Sequence, residues 1–266
     1  RVSAEHGLFD IITALNVVAH TLDVNQLLRA VKTILSPAGT FMMEAVYVFD
    51  TILKGEFDTV YHEHVYCFSL TALTSLFARC GLTITDVQQI PTQGGSLRVF
   101  AQPAERKPRI SKRVSALLQR EAKAGVKNPA LYQAVGKKIA AFKHDFRKIL
   151  KYLHARHGRV IGLGAPARGV VILNYAAIDS TLVEAIVDDT SLKQGRLVPG
   201  VHIPVISWQE LAKQPAAAYV LLSWNYVPEM IRKLKTITSS GEVLIPFPKL
   251  HVKRLTSLKS HLDHRR

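Results

Sequence analysis

The chain has 266 residues, enough for one large core or two ordinary ones, and its 48% hydrophobic content is that of a globular protein. It has no apolar run near the roughly eighteen residues that span a bilayer and no signal-peptide pattern, and Cys67 and Cys80 alone build neither a disulfide framework nor a cysteine-rich zinc site, so the expectation is a cytoplasmic protein with no membrane partner. The formal net charge of +15 favours anionic partners, and it is concentrated between Arg109 and Arg168, where fifteen Lys and Arg face two acids, Glu121 and Asp145; a solvated helix face gives the same pattern.

In chain order, LFDIITALNVV (8–18) reads as a buried strand. Leu27, Leu28, Val31 and Leu35 recur at helical spacing after Asp23, a candidate N-cap, and SPAG (36–39) is read as the break that ends this helix. TFMMEAVYV (40–48) is the next strand. SLTALTSLFARCG (69–81) is a short helix with Ser69 as cap and Gly81 as stop. LTITDVQQI and SLRVFAQ, joined by PTQGG, form a hairpin. Residues 108–157 are basic and helical, broken near Gly125 to Pro129, with an apolar stripe from Leu131 to Leu153 on the second helix. From 158 a new pattern alternates strand and helix: RVIGLG, PARGVVILNYAA, LVEAIVDD, HIPVISWQEL, AYVLLSW, VPEMIRKLKTI and EVLIPF. Alternating βαβ units imply a parallel, doubly wound sheet. The basic tail is expected to be loosely ordered.

Chemistry concentrates at Tyr61-His62-Glu63-His64, after the second strand, and at Asn16 and His20, after the first. Ligands of open α/β sheets bind outside the carboxyl ends of strands, which places both stretches at one ligand edge. Histidine suits proton abstraction beside a carbonyl, glutamate orients it or holds a substrate hydroxyl, and tyrosine hydrogen-bonds an enolate oxygen. His-x-His with a glutamate can bind zinc, yet the sequence offers no further ligand cluster, so no metal is expected. Gly162, Gly164 and Ala167 form G-x-G-x-x-A between a strand and a helix, with Asp188 ending the next strand; a dinucleotide site and a structural tight turn both account for it. Lys193 and Arg196 lie in a segment with ordinary turn chemistry. Trp224 and Asn225 end a strand at the ligand edge, where a tryptophan serves a core equally well.

NVVAH, EFDTVYHEHVYCFSLTAL, PTQGGSLRVF, GAPARG, NYAAI, VDDTSLKQGRLVPGVHIPV, LLSWNY and IPFP run in order along nearly the whole chain, which resembles the sugar C-methyltransferase family. The resemblance implies an α/β chain: an incomplete class I methyltransferase (Rossmann-like) domain at 1–107, a basic helical connector at 108–157, a second Rossmann-like domain at 158–253 and a tail at 254–266. It implies S-adenosyl-L-methionine as methyl donor and a nucleotide-diphosphate 4-keto-deoxysugar as substrate. It assigns Tyr61, Glu63, His64 and His20 to the active site, with His64 as the base. It places Asn16 and Val17 beside the cofactor, and Gly162, Gly164, Ala165, Arg168, Lys193 and Asn225 beside the sugar nucleotide. The family's N-terminal zinc domain and glycine-rich cofactor loop do not occur in this sequence, so a partner chain that supplies them is one expectation and a chain inactive alone is another. Glu44-Ala45-Val46-Tyr47 replaces the family's Glu-Val-Pro-Tyr. Two other readings stand beside this one. An NAD(P)-binding oxidoreductase module rests on Gly162, Gly164, Ala167 and Asp188. A basic, non-enzymatic nucleic-acid binder rests on the connector, which lacks the interleaved aromatics of a stacking surface.

Overall fold

The structure is a computed structural model that describes residues 2–258. It divides into two compact units. Unit 1 comprises Arg1–Leu53 and His62–Val135, and unit 2 comprises Lys54–Tyr61 and Gly136–Arg266.

Unit 1 begins with α1 (Val2–His6) and β1 (Phe9–Leu15), followed by a 3₁₀ turn at Val18–His20, α2 (Val24–Ile34) and β2 (Leu35–Val46). The Asp23 side chain accepts from the Gln26 amide at 2.9 Å, and Val24, Leu28 and Val31 turn inward. SPAG does not separate helix from strand. β2 starts at Leu35 and carries these residues inside it, and the register against β1 shifts between Phe9 and Ile11 to absorb them. The chain continues through α3 (Val48–Lys54), α4 (Leu70–Arg79), β3 (Leu82–Ile90), β4 (Ser96–Pro103) and α5 (Lys112–Lys123).

The sheet runs β1-β2-β4-β3, with β1 parallel to β2 and the other neighbours antiparallel. The PTQGG turn thus closes a hairpin, as its sequence predicts. Among the described residues, β1 has a strand on one side only, and Leu8, Ile11, Leu15 and Val17 are exposed.

Helix α4 starts directly after the histidine-rich segment, and a buried side chain holds that start. Ser69 Oγ accepts from the Ala72 amide at 3.1 Å. Glu121, from α5 and fully buried, accepts from the amides of Leu70 (2.7 Å) and Thr71 (2.8 Å), from Thr71 Oγ1 (2.5 Å) and from the Tyr47 hydroxyl (2.8 Å). Two orphan donors of the first helical turn are satisfied by a carboxylate placed at the positive end of the helix dipole. Burial and the Glu121 hydrogen bond raise the Tyr47 phenol far above its ordinary range, so it acts only as a donor.

Unit 2 contains most of α6 (Pro129–His157), then β5 (Val160–Leu163), α7 (Ala167–Ala176), β6 (Ala185–Val187), β7 (Val205–Ile206), α8 (Trp208–Lys213), β8 (Ala218–Leu221), α9 (Val227–Lys235), β9 (Glu242–Ile245) and β10 (His251–Arg254). The sheet order is β10-β9-β8-β5-β6-β7, with β5 to β9 parallel and β10 antiparallel at the edge. Residues Arg254 to Leu258 of the expected tail are placed, with Leu255 and Leu258 buried; the rest of the tail lies outside the described residues. Of the two connector helices, α5 buries Val114 and Leu117 in the core of unit 1, whereas α6 buries Phe146, Leu150 and Leu153 in the core of unit 2. Exposed Lys112, Arg113 and Arg120 show that α5 turns its basic side to solvent. No helix among the described residues is long and apolar enough to cross a membrane.

Candidate active site

In unit 1 the site forms at the carboxyl end of β1. Asn16, the first residue past the strand, has φ 53°, a left-handed conformation that asparagine tolerates better than most residues, and its amide donates to Glu44 O at 2.9 Å. This turn leads into the 3₁₀ segment that ends at His20. Three hydrogen bonds tie that segment to the histidine-rich one. His20 Nδ1 meets Glu63 O at 2.7 Å, the Tyr66 amide donates to Ala19 O at 3.2 Å, and the Tyr66 hydroxyl donates to Leu22 O at 2.9 Å. Tyr66 also stacks on Phe68, with centroids 5.7 Å apart.

The rings of His20 and His64 come within 5.0 Å, centroid to centroid. Because Glu63 O can only accept, the proton of a neutral His20 sits on Nδ1 and its basic lone pair on Nε2. His20 and Glu63 are exposed and His64 is half-buried. Thus the structure brings His20, Glu63 and His64 together in unit 1, beside Asn16 and the exposed Val17. Tyr61 falls in the segment assigned to unit 2. Among the described residues, no group of three His, Cys, Asp or Glu side chains could hold a metal ion.

Sequence reasoning named Glu44 only within Glu44-Ala45-Val46-Tyr47 and gave it no partner; it is buried near the end of β2 with its carboxylate held by Thr92 Oγ1 (3.0 Å) and Arg98 Nη2 (3.1 Å). Strand position alone carries no signal for such long-range partners.

In unit 2, GLGAPARG connects β5 to α7. The central crevice of its sheet lies between the carboxyl ends of β5 and β8, where the strand order reverses and where nucleotides bind in such folds. Here Gly164 has φ 81°, and a Cβ on it would lie 1.9 Å from Ser223 Oγ, past the end of β8. A Cβ on Gly162 would lie 2.8 Å from Ile186 Cγ1 on β6. Close packing therefore accounts for both glycines. The loop amides are also occupied: Gly164 N donates to Val187 O and Ala165 N to Asp188 Oδ2, both at 2.8 Å.

Asp188, expected to bind a ribose in the dinucleotide reading, instead accepts from Ala165 and Thr190 amides and from Lys193 Nζ (3.3 Å). Burial would raise its carboxyl, yet these partners outweigh burial and hold it below the ordinary range. Lys193 Nζ also donates to Ala165 O at 3.0 Å, so it braces the loop. These internal bonds are those of a structural tight turn, the second of the two readings open for this loop.

Arg168, expected to hold a phosphate, is buried against the chain's own carboxylates. Its Nε and Nη2 donate to Asp58 Oδ2 (3.0 Å) and Oδ1 (2.8 Å), and Nη2 lies 3.5 Å from Glu56 Oε2. Trp224 Nε1 donates to Asp58 Oδ2 at 2.7 Å, and the Arg168 guanidinium carbon stands 4.4 Å from the Trp224 ring centroid. Asp58 thereby bridges groups that follow β5 and β8. Asn225 remains exposed, with Oδ1 3.4 Å from Arg168 Nη1.

A sheet with a polar histidine cluster at its strand ends and a second, mainly parallel sheet define a two-unit α/β architecture. A family model for the C-methyltransferase C-terminal domain matches residues 91–248, and one for a methyltransferase domain matches residues 1–87. The chain belongs to the C-methyltransferase family. It is 31% identical over 253 residues to the C-methyltransferase NovU of Streptomyces niveus, which covers 95% of this chain and 60% of that protein. The chain therefore spans about three fifths of that relative's length. Solved structures with partial likeness include the magnesium protoporphyrin IX methyltransferase ChlM from Synechocystis PCC 6803 with bound SAH (13% identical, 35% of this chain and 44% of that one, TM-score 0.28). Another is the Haloferax volcanii Trm112 methyltransferase-activator complex (15% identical, 36% and 54%, TM-score 0.31).

Proposed function

We propose that this C-methyltransferase transfers a methyl group from S-adenosyl-L-methionine to the carbon beside the ketone of a nucleotide-linked 4-keto-deoxysugar. The observation that carries the reading is the pairing of His20 and His64 at the carboxyl end of β1. Asn16 and Val17 offer a hydrogen-bonding amide and an exposed apolar side chain there, which fit one wall of a site for the donor. When bound, that donor supplies an electrophilic methyl group.

The chain's own residues prepare the nucleophile. His64 removes the proton from the carbon next to the ketone, leaving an enolate. His20, anchored through Nδ1 to Glu63 O, keeps Nε2 for the substrate. Glu63 holds a substrate hydroxyl and Tyr61 donates to the enolate oxygen. Ala165, Lys193 and Asn225 line the side of unit 2 proposed for the sugar nucleotide, with Gly162, Gly164 and Arg168 acting through the loop's shape.

The test is exchange of the substrate's α-hydrogen with D₂O, read by NMR on a 4-keto sugar nucleotide. His64→Ala is expected to slow exchange about 10²–10⁴-fold. His20→Asn is expected to slow it less. Wild-type exchange in His64→Ala would remove His64 from the role of base.

A further inference from the structure

Tyr61 belongs to a segment of eight residues that leaves unit 1 after Leu53 and joins the fold of unit 2. The anchoring of this segment is unlike that of a surface loop. Phe57 sits among Phe142, Tyr175 and Phe247, with centroid separations of 5.4, 4.9 and 5.8 Å. Asp58 is 0% exposed and makes the bidentate pair with Arg168 and the bond from Trp224. Glu56 and Thr59 are buried on either side. The Val60 amide closes the turn onto Phe57 O at 3.0 Å, so the backbone one residue before Tyr61 is fixed.

A buried carboxylate pairs with a buried guanidinium at a desolvation cost that apolar residues would avoid, so such a pair is poor evidence for stability alone and better evidence for a fixed geometry. In addition, the pair lies past the carboxyl ends of β5 and β8, the edge at which sheets of this order bind ligands.

We propose that the Asp58–Arg168–Trp224 cluster is a positioning device for Tyr61: it fixes the backbone that carries the tyrosine. This rests on the role given to Tyr61 above. Arg168 is then retained for its planar two-pronged match to Asp58, a geometry that lysine cannot reproduce.

The test uses the full chain with Asp58→Asn, Arg168→Lys and Trp224→Phe, first by amide hydrogen exchange. Residues 57–61 are expected to exchange about 100-fold faster in Asp58→Asn while β5 and β8 keep their protection. Unchanged exchange at 57–61, or equal loss throughout unit 2, overturns the proposal. The second arm is a double-mutant cycle on turnover. Asp58→Asn is expected to lower kcat about 10- to 100-fold with little change in KM. In a Tyr61→Phe background the same change is expected to cost less than about 3-fold, because both substitutions remove one function. Equal loss in both backgrounds overturns a role through Tyr61. Selective exchange at 57–61 in a protein with no activity toward 4-keto sugar nucleotides would support the anchoring and refute the substrate reading, so the two failures are distinguishable.

Discussion

Replacing Glu121 with alanine should uncouple the start of helix α4 from the rest of unit 1. All four of its hydrogen-bond partners donate, and two of them are main-chain amides that have no intrahelical acceptor. The Tyr47 and Thr71 hydroxyls can rotate toward other acceptors, whereas the Leu70 and Thr71 amides cannot. Each stranded buried amide costs about 1–3 kcal/mol, and loss of the carboxylate removes its interaction with the helix dipole, about 0.3–1 kcal/mol or somewhat more when buried. Relief from burying a charge offsets part of this, which leaves about 3–5 kcal/mol. With a urea slope of about 1–3 kcal/mol per molar, the midpoint of unit 1 should fall by about 2 M. Glu121→Gln keeps one acceptor but turns an amide N–H₂ toward donors, and about half of that loss is expected. The assay is equilibrium urea unfolding followed by near-ultraviolet circular dichroism. A shift below about 0.3 M for Glu121→Ala would refute the assignment of this carboxylate as the anchor of the helix.

Three further outcomes follow from other contacts. The Arg113 guanidinium beside Asp86, with a smaller opposing effect of burial, holds that carboxyl at about 2. Its stabilisation is present above an unfolded value of about 3.9 and fades as pH falls toward 2; solvent screening limits it to less than about 1 kcal/mol. Asp86→Asn should therefore flatten the difference in urea midpoint across that window, and parallel pH curves would contradict the pairing. Gly164→Ala combines a left-handed backbone with a Cβ 1.9 Å from Ser223 Oγ and should cost about 2–5 kcal/mol in unit 2, read as a lowered Tm. Gly158→Ala, also at positive φ (72°) but with nothing within 4 Å of its Cβ, should cost only about 1–2 kcal/mol, and equal losses would show that Ser223 does not crowd the loop. Ile11→Lys replaces a side chain that is 72% exposed on a strand that, among the described residues, has a neighbour on one side only, so it should raise the concentration at which the chain stays monodisperse by light scattering and move stability by no more than about 0.5 kcal/mol.

What the sequence revealed was chiefly local. The Asp23 and Ser69 caps, the PTQGG hairpin and the βαβ alternation after 158 are encoded within a few residues, and the structure places each as read. The helix does end just before SPAG, at Ile34, but the next strand begins earlier than read, because a bulge lets it absorb residues that would otherwise form a turn. The convergence of His20 with His64 was inferable once both strands were taken to end at one edge of the sheet. Arg168 and Glu121 were opaque for a different reason. The family resemblance made Arg168 a candidate phosphate partner, and only the fold reveals a carboxylate 110 positions earlier that accepts from it. Glu121 stood out in the sequence only as a rare acid in a basic stretch, while its role depends on an amide 51 positions away.

The segment 54–61 makes unit 2 discontinuous in sequence, with consequences for how the polypeptide can be made and divided. Asp58 leaves the ribosome 110 residues before Arg168 and 166 before Trp224. At about 5–20 residues per second, its carboxylate waits roughly 5–20 s for the guanidinium. Throughout that interval Phe57 also lacks the ring of Phe142, so an apolar stretch is open to chaperones during synthesis. Nor can the C-terminal unit travel between genes as one uninterrupted cassette. A fragment cut at Gly136 would carry a buried arginine without its counter-ion and an indole N–H without its acceptor, and a graft that is to fold must bring the distant eight residues with it.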